Sequence, residues 1–247
     1  MQQNQQQAYD RGITIFSPDG RLYQVEYARE AVKRGSASIG VRTEGGVALL
    51  ADRRIRSSLM EPSSVEKLHK ADDHVGIASA GHVADARQLI DFARRQAQVN
   101  RLRYEEPVGV EALTKEITDN IQQYTQVGGA RPFGVALIVG GIENGEPRLY
   151  ETDPSGVPTE WKSVAIGNER EAILEHLEEN YRADADLDGA IDLALSSLAS
   201  AKEEALDAES VLLSTVDAEE GYRKRSDEEI DSALSELDLD TEEEGEE

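Results

Sequence analysis

Residues 9–57 read YDRGITIFSPDGRLYQVEYAREAVKRGSASIGVRTEGGVALLADRRIRS, and this stretch decides the fold. Ser17-Pro18-Asp19-Gly20 is a reverse-turn sequence, because proline pre-sets φ at the second position and glycine closes the fourth. Residues 21–34 then carry apolar side chains at helical spacing. Leu22, Val25, Ala28 and Val32 share one side, and Tyr23, Tyr27 and Ala31 share another. Two contact faces describe a helix wedged between surfaces, with Glu30 and Arg34 spaced for an i,i+4 ion pair. Two short apolar strands follow, at 37–41 and 47–51, around the hairpin signal Thr43-Glu44-Gly45-Gly46.

Outward from this stretch, a shorter strand is expected near 67–70 and another at 75–79. Helices follow at 82–103 and 110–124, then a glycine-rich loop at 126–132 and a strand at 134–141. Asn144-Gly145 turns that strand back into 148–151. A further strand pair is read at 160–161 and 163–166, then helices at 169–181 and 187–206. The hairpin 211–216/222–224 and a short helix at 227–237, dissolving into an acidic end, complete the chain. Strands, two helices, strands, two helices, strands is not β-α alternation. It fits an α+β, four-layer αββα sandwich with an additional N-terminal helix. The expected organisation is a mobile Gln-rich N-terminus (1–8), a turn-and-helix segment (9–35), the sandwich (36–226) and a helix with an acidic tail (227–247).

The 247 residues suffice for a large core, and 38% hydrophobic with 5% aromatic content predicts one rich in Ala, Val, Ile and Leu. The absence of cysteine removes disulfides, thiolate metal sites and a cysteine nucleophile, and suits an intracellular protein. The longest apolar runs, such as 135–139, are far below a membrane span, and MQQNQQQ at the start lacks the basic and apolar regions of a signal peptide. Fifty acidic residues against 26 basic ones give a net charge of −24 and disfavour nucleic acid as a partner. The segment from Ser226 onward holds 12 acidic residues and no basic one, so the body too is acidic. With 7 Lys against 19 Arg, the balance points to adaptation to high salt, the plainer alternative being an ordinary acidic protein with a solvated tail. His69, His74, His82 and His176 have no metal-ligand spacing, and no phosphate-binding glycine loop is present, so neither metal nor cofactor is expected.

At Tyr9-Asp10-Arg11, Ser17-Pro18-Asp19-Gly20-Arg21, Gln24-Val25-Glu26-Tyr27-Ala28 and Ala51-Asp52-Arg53-Arg54 the chain resembles the α subunits of the archaeal-type 20S proteasome. Val83-Ala84-Asp85-Ala86-Arg87, Gln123-Tyr124-Thr125-Gln126 and Gly128-Gly129…Arg131-Pro132 agree, so the resemblance runs from about residue 9 to 224. It implies a non-catalytic subunit of a threonine-type endopeptidase complex. Such a protein joins other α subunits in a seven-membered ring, caps the β subunits and admits unfolded protein substrates. It also docks the C-termini of an AAA ATPase regulatory complex. The leading helix would cover the outer side of the sandwich. The gate cluster implied is Tyr9, Asp10, Arg11, Pro18 and Tyr27. The docking pocket implied is Lys67 and Gly81, with Gly35 and Leu22. The pore constriction implied is Val127, Gly128, Gly129 and Ala130, with Val127 where an aromatic is common. His82 stands where the family is often apolar.

In the related N-terminal-nucleophile hydrolases the first residue attacks and its own α-amine takes the proton, an amine of pKa near 8 suiting that duty. Ser36 occupies the corresponding place, with Asp52 and Lys67 near the acid and lysine positions. A peptide bond to 35 preceding residues denies Ser36 that amine. The alternative is a hydrolase that processes itself at Gly35-Ser36.

Overall fold

The computed structural model describes residues 16–18, 20–55, 57–127, 130–202 and 205–244, with side chains as far as 237. Its element order is α1 (Tyr23–Lys33), β1 (Ser38–Thr43), β2 (Gly46–Asp52), β3 (Leu68–Asp72), β4 (Val75–Gly81), α2 (Val83–Tyr104), α3 (Val110–Gln126), β5 (Val135–Glu143) and β6 (Glu146–Thr152). It continues with β7 (Pro158–Glu160), β8 (Ser163–Ile166), α4 (Arg170–Asn180), α5 (Leu187–Ser200), β9 (Val211–Asp217), β10 (Gly221–Lys224) and α6 (Asp227–Glu244).

Two five-stranded antiparallel sheets form, ordered β10-β9-β2-β1-β8 and β3-β4-β5-β6-β7. Period-two alternation sorts their side chains. On β2, Val47, Leu49 and Ala51 enter the core between the sheets, while Ala48 and Leu50 pack outward with Ile173, Leu177, Ala194 and Leu198 of α4 and α5. On β5, Ala136 and Ile138 face the first sheet, and Val135, Leu137 and Val139 meet α2 and α3 through Leu89, Ile90, Leu113 and Ile117. The expected αββα layering is therefore present. Small residues bring the sheets close: a Cβ on Gly40 would stand 2.8 Å from Ile138 Cγ2, and one on Gly140 2.7 Å from Val47 Cγ1.

Local chemistry explains several boundaries. Gly20 N–H donates to Ser17 O (2.8 Å) and Arg21 N–H to Ser17 Oγ (3.1 Å), closing the turn before α1. Asn144 and Gly145 both take positive φ (54° and 83°), as a two-residue hairpin of matching twist requires. At α6, Ser226 and Glu229 form a reciprocal capping box: Ser226 Oγ accepts from Glu229 N (3.3 Å), and the Glu229 carboxylate accepts from Ser226 N (2.9 Å).

Four details depart from the sequence reading. Residues 160–161 and 163–166 are not a strand pair. β7 pairs with β6 in one sheet and β8 with β1 in the other, so Trp161-Lys162 carries the chain between sheets. α5 stops at Ser200, not 206, with the Lys202 side chain turned to Asp52. α6 is helical through Glu244 where a coil was expected, since glutamate is a good helix former. Glu30 pairs with Lys33 (2.8 Å), at i,i+3, in place of the expected Arg34.

α1 lies across one end of the sandwich. Val25, Ala28 and Val32 are buried, and Val32 belongs to the inter-sheet core. Gly134, just before β5, lies against Ala31, and Arg29 is paired with Asp153, just after β6 (2.7 Å). On the second face Tyr23 and Ala31 are half-buried, and Tyr27 is 52% exposed. Among the described residues no helix is long and apolar enough to cross a membrane.

Candidate functional site

The end of the sandwich beneath α1 holds a cleft of about 710 Å³. Its lining includes Gly35 and Ser36 from the link between α1 and β1, Lys67 at the foot of β3, and Gly81 and His82 between β4 and α2. Three of the four expected docking residues, Lys67, Gly81 and Gly35, thus meet in one place. Leu22, the half-buried residue preceding α1, is not among the lining residues. Arg34 and Arg54 also border the cleft, against the single acid Glu66, so it is a cationic spot on a strongly anionic chain.

Lys67 is not the solvated strand-edge residue that its sequence context allows; it is 8% exposed. Its ammonium donates to Ser36 O (2.7 Å), Ala37 O (2.7 Å) and Ser36 Oγ (2.9 Å), with Asp52 O at 3.3 Å. Burial draws its pKa down to about 7, against the pull of Asp52 and with the push of Lys202. Ser36 Oγ donates to Asp52 O (3.0 Å), and the Asp52 carboxylate, 6% exposed, takes Lys202 Nζ at 2.5 Å. Serine and lysine of the hydrolase pattern are therefore in contact, but the acid is engaged elsewhere. Ser36 N is an ordinary amide in the chain leading out of α1.

The two glycines have an internal reason to be glycine. Gly81 sits at φ +119°, and a Cβ there would collide with Gly134 O; a Cβ on Gly35 would collide with Gly81 N. The close backbone approach they permit is between parts of this chain.

Behind Gly81 begins the loop expected at the pore. Val127 is 55% exposed, and Ala130 N–H donates to Val127 O (3.2 Å). The stem is held by Asp85, buried in the first turn of α2. Its carboxylate accepts from both Arg131 terminal nitrogens (2.6 and 2.7 Å) and from Gly134 N (2.8 Å). Gly128 and Gly129 lie outside the described residues, as do Tyr9, Asp10 and Arg11 of the gate cluster. Pro18 is exposed at the turn before α1, and Tyr27 lies on its outer face. His74 and His176 are engaged structurally, with Val108 O (2.7 Å) and Ser197 Oγ (3.0 Å).

Comparison with known proteins matches the family model described as proteasome subunit over residues 32–216, and the N-terminal signature of A-type proteasome subunits over 9–31. The chain belongs to the proteasome α-subunit family. It is 70% identical over 239 residues to the proteasome subunit alpha of Natronomonas pharaonis, covering 96% of this chain and 94% of that one. Proteasome subunit alpha 1 of Haloarcula marismortui is 72% identical over 238 residues (96% and 92% covered), and that of Haloferax volcanii 71% over 238 (96% and 94%). Proteasome α subunits are the non-catalytic members of a threonine-type protease complex and assemble with other subunits. Ser36 without an amine and Asp52 diverted to Lys202 are the chemical counterpart of that role, and the self-processing hydrolase is set aside.

Sequence reasoning missed Lys202, a lone lysine beyond a helix end with no motif around it. It also missed the Asp85–Arg131 clamp, although both residues stood inside blocks that carried the family resemblance.

Proposed function

We propose that this α subunit forms a seven-membered outer ring over the β subunits and controls the entry of unfolded proteins to the proteolytic chamber, in the cytoplasm. Its cleft receives the C-terminal carboxylate of an AAA ATPase activator. The observation that carries this reading is the cationic cleft at the end of the sandwich, floored by Lys67 beneath Gly35 and Gly81. A terminal carboxylate and a compact ammonium are suited partners. Two further features support gating: an N-terminal turn and helix laid across that same end, with Tyr27 outward, and a loop stem anchored at Asp85. The wedge-like second face of α1 fits a neighbouring subunit.

The test is native mass spectrometry from a salt-compatible preparation, with intact mass under denaturation and binding of a peptide bearing the activator's C-terminal sequence. Seven full-length chains per ring, and a peptide that binds as the free acid but not as the amide, are expected. A stable monomer, a mass lacking residues 1–35, or equal binding of acid and amide overturns the reading.

A further inference from the structure

Two lysines meet at one buried aspartate beneath the cleft, one at its carboxylate and one at its main-chain oxygen. Asp52, the last residue of β2, gives Oδ1 to Lys202 Nζ at 2.5 Å, whereas Lys67 Nζ reaches only the Asp52 main-chain oxygen, at 3.3 Å. The three protons of Lys67 are spread over neutral oxygens: two carbonyls of residues 36 and 37 and the Ser36 hydroxyl. Such acceptors hold an ammonium less tightly than a buried carboxylate would, because they offer it only a dipole where the carboxylate offers a full opposite charge. The Ser36 hydroxyl is also the easiest of the three to exchange for an incoming anion, since it has a second partner in Asp52 O.

We propose that Lys202 is a positioning residue of the docking cleft: by occupying the Asp52 carboxylate it keeps Lys67 out of an internal ion pair and available to an anionic chain end. This rests on the docking role given to Lys67 above. The remaining charged or titratable groups around the cleft are Arg34 at the end of α1, Arg54 after β2, Glu66 beside Lys67, and His82 before α2. Each of these four is exposed, so none competes with Lys202 for the buried acid. Lys202 itself is only partly exposed, 23% at the side chain, and stands outside the set of residues lining the cleft. It acts through Asp52 and not by touching the ligand. When Lys202 is removed, Asp52 is left as a buried, unpaired anion with an ammonium close by, and the pair Asp52–Lys67 closes.

The experiment uses assembled rings and a fluorescent peptide carrying the activator's C-terminal sequence as free acid, followed by anisotropy. Lys67→Ala is expected to weaken binding at least about tenfold, as loss of one hydrogen bond to a charged group implies. Lys202→Gln is expected to weaken it by a similar factor, about fivefold to tenfold, through capture of Lys67. Asp52→Asn/Lys202→Gln has no carboxylate to capture Lys67 and is expected to bind within about twofold of wild type, as is Asp52→Asn alone. The double variant also carries no unpaired buried charge, so it reports even if Lys202→Gln fails to fold. Wild-type binding by Lys202→Gln alongside loss in Lys67→Ala overturns the inference and leaves the docking role standing. Failure of Asp52→Asn to rescue Lys202→Gln overturns it equally, by exposing general damage. Wild-type binding by Lys67→Ala removes the docking role itself, and this inference with it.

Discussion

Replacing Asp85 with alanine is expected to loosen the loop stem at residues 130–134 and to lower stability by an amount the structure lets one estimate. The carboxylate holds three donors and is 8% exposed at the side chain. Arg131 is 58% exposed, so solvent screens its half of the ion pair and that share is about 0.5–1 kcal/mol. Gly134 N–H is buried, and leaving it without an acceptor costs about 1–3 kcal/mol. An acid in the first turn of a helix adds about 0.3–1 kcal/mol. The sum is near 3 kcal/mol, and at about 2–4 °C per kcal/mol for a chain of this size the melting temperature should fall by about 6–12 °C. Asp85→Asn keeps an acceptor for Gly134 and should fall by roughly half as much. Burial pushes the Asp85 carboxyl up, but the Arg131 hydrogen bonds and the Gly134 amide outweigh it and hold its pKa below the ordinary aspartate value. The stabilisation is therefore complete above the unfolded-state value and disappears as pH falls through the lower folded one. Differential scanning calorimetry of wild type and both variants, at one salt concentration and at pH 7 and 4, measures all of this. An alanine variant melting within about 1 °C of wild type would refute the clamp. An asparagine variant as damaged as alanine would refute the weight given to the Gly134 amide.

Four further outcomes follow. Because burial draws Lys67 down to about 7, binding of the free-acid peptide should be strongest below that pH and decline above it. An affinity flat from about pH 6 to 9 would contradict this. Between about 7 and the ordinary 10.5 the unfolded chain holds a proton that folded Lys67 lacks, so this residue's contribution to stability rises with pH there, and Lys67→Met should flatten the pH–stability curve measured by urea titration. Gly81→Ala forces a side chain into positive φ and onto Gly134 O, and should cost more than about 3 kcal/mol or prevent soluble expression, whereas Gly145→Ala meets no neighbouring atom and should cost about 1. Finally, with a net charge of −24, thermal stability should rise from low to molar salt as self-repulsion is screened; a fall would mean that attractive pairs dominate.

Much of the fold was legible because its signals are local. The turn at Ser17–Gly20, the Asn144-Gly145 hairpin and the helical spacing of Leu113, Ile117 and Ile121 each declare a conformation within a few residues. What was not legible depended on partners far along the chain. Trp161-Lys162 resembles a hairpin link until one knows that Ala165 pairs with Ile39 and Thr159 with Glu151. Lys67, Gly35 and Gly81 were legible as a set through family blocks, but not the reason for their chemistry: Lys67 is turned inward, and the glycines face one another. Lys202 was invisible, since an ion pair across 150 residues leaves no spacing to read.

The strand order has a consequence for how the chain is made. β2 lies between β1 and β9, and β1 lies between β2 and β8. During synthesis the first hairpin, 38–52, leaves the ribosome with both long edges bare, and its covering strands arrive only at 163–166 and 211–217. The outward face of β2, with Leu50, waits for α4 and α5, complete only at residue 200, and its free edge waits for β9, while the second sheet, whose strands lie within residues 68–160, can close first and cover Leu49. Nascent chains halted before residue 211 should therefore be the sticky species, recruiting holding factors through an open β2 edge, and the last 37 residues decide whether the finished chain is released as a monomer fit for assembly.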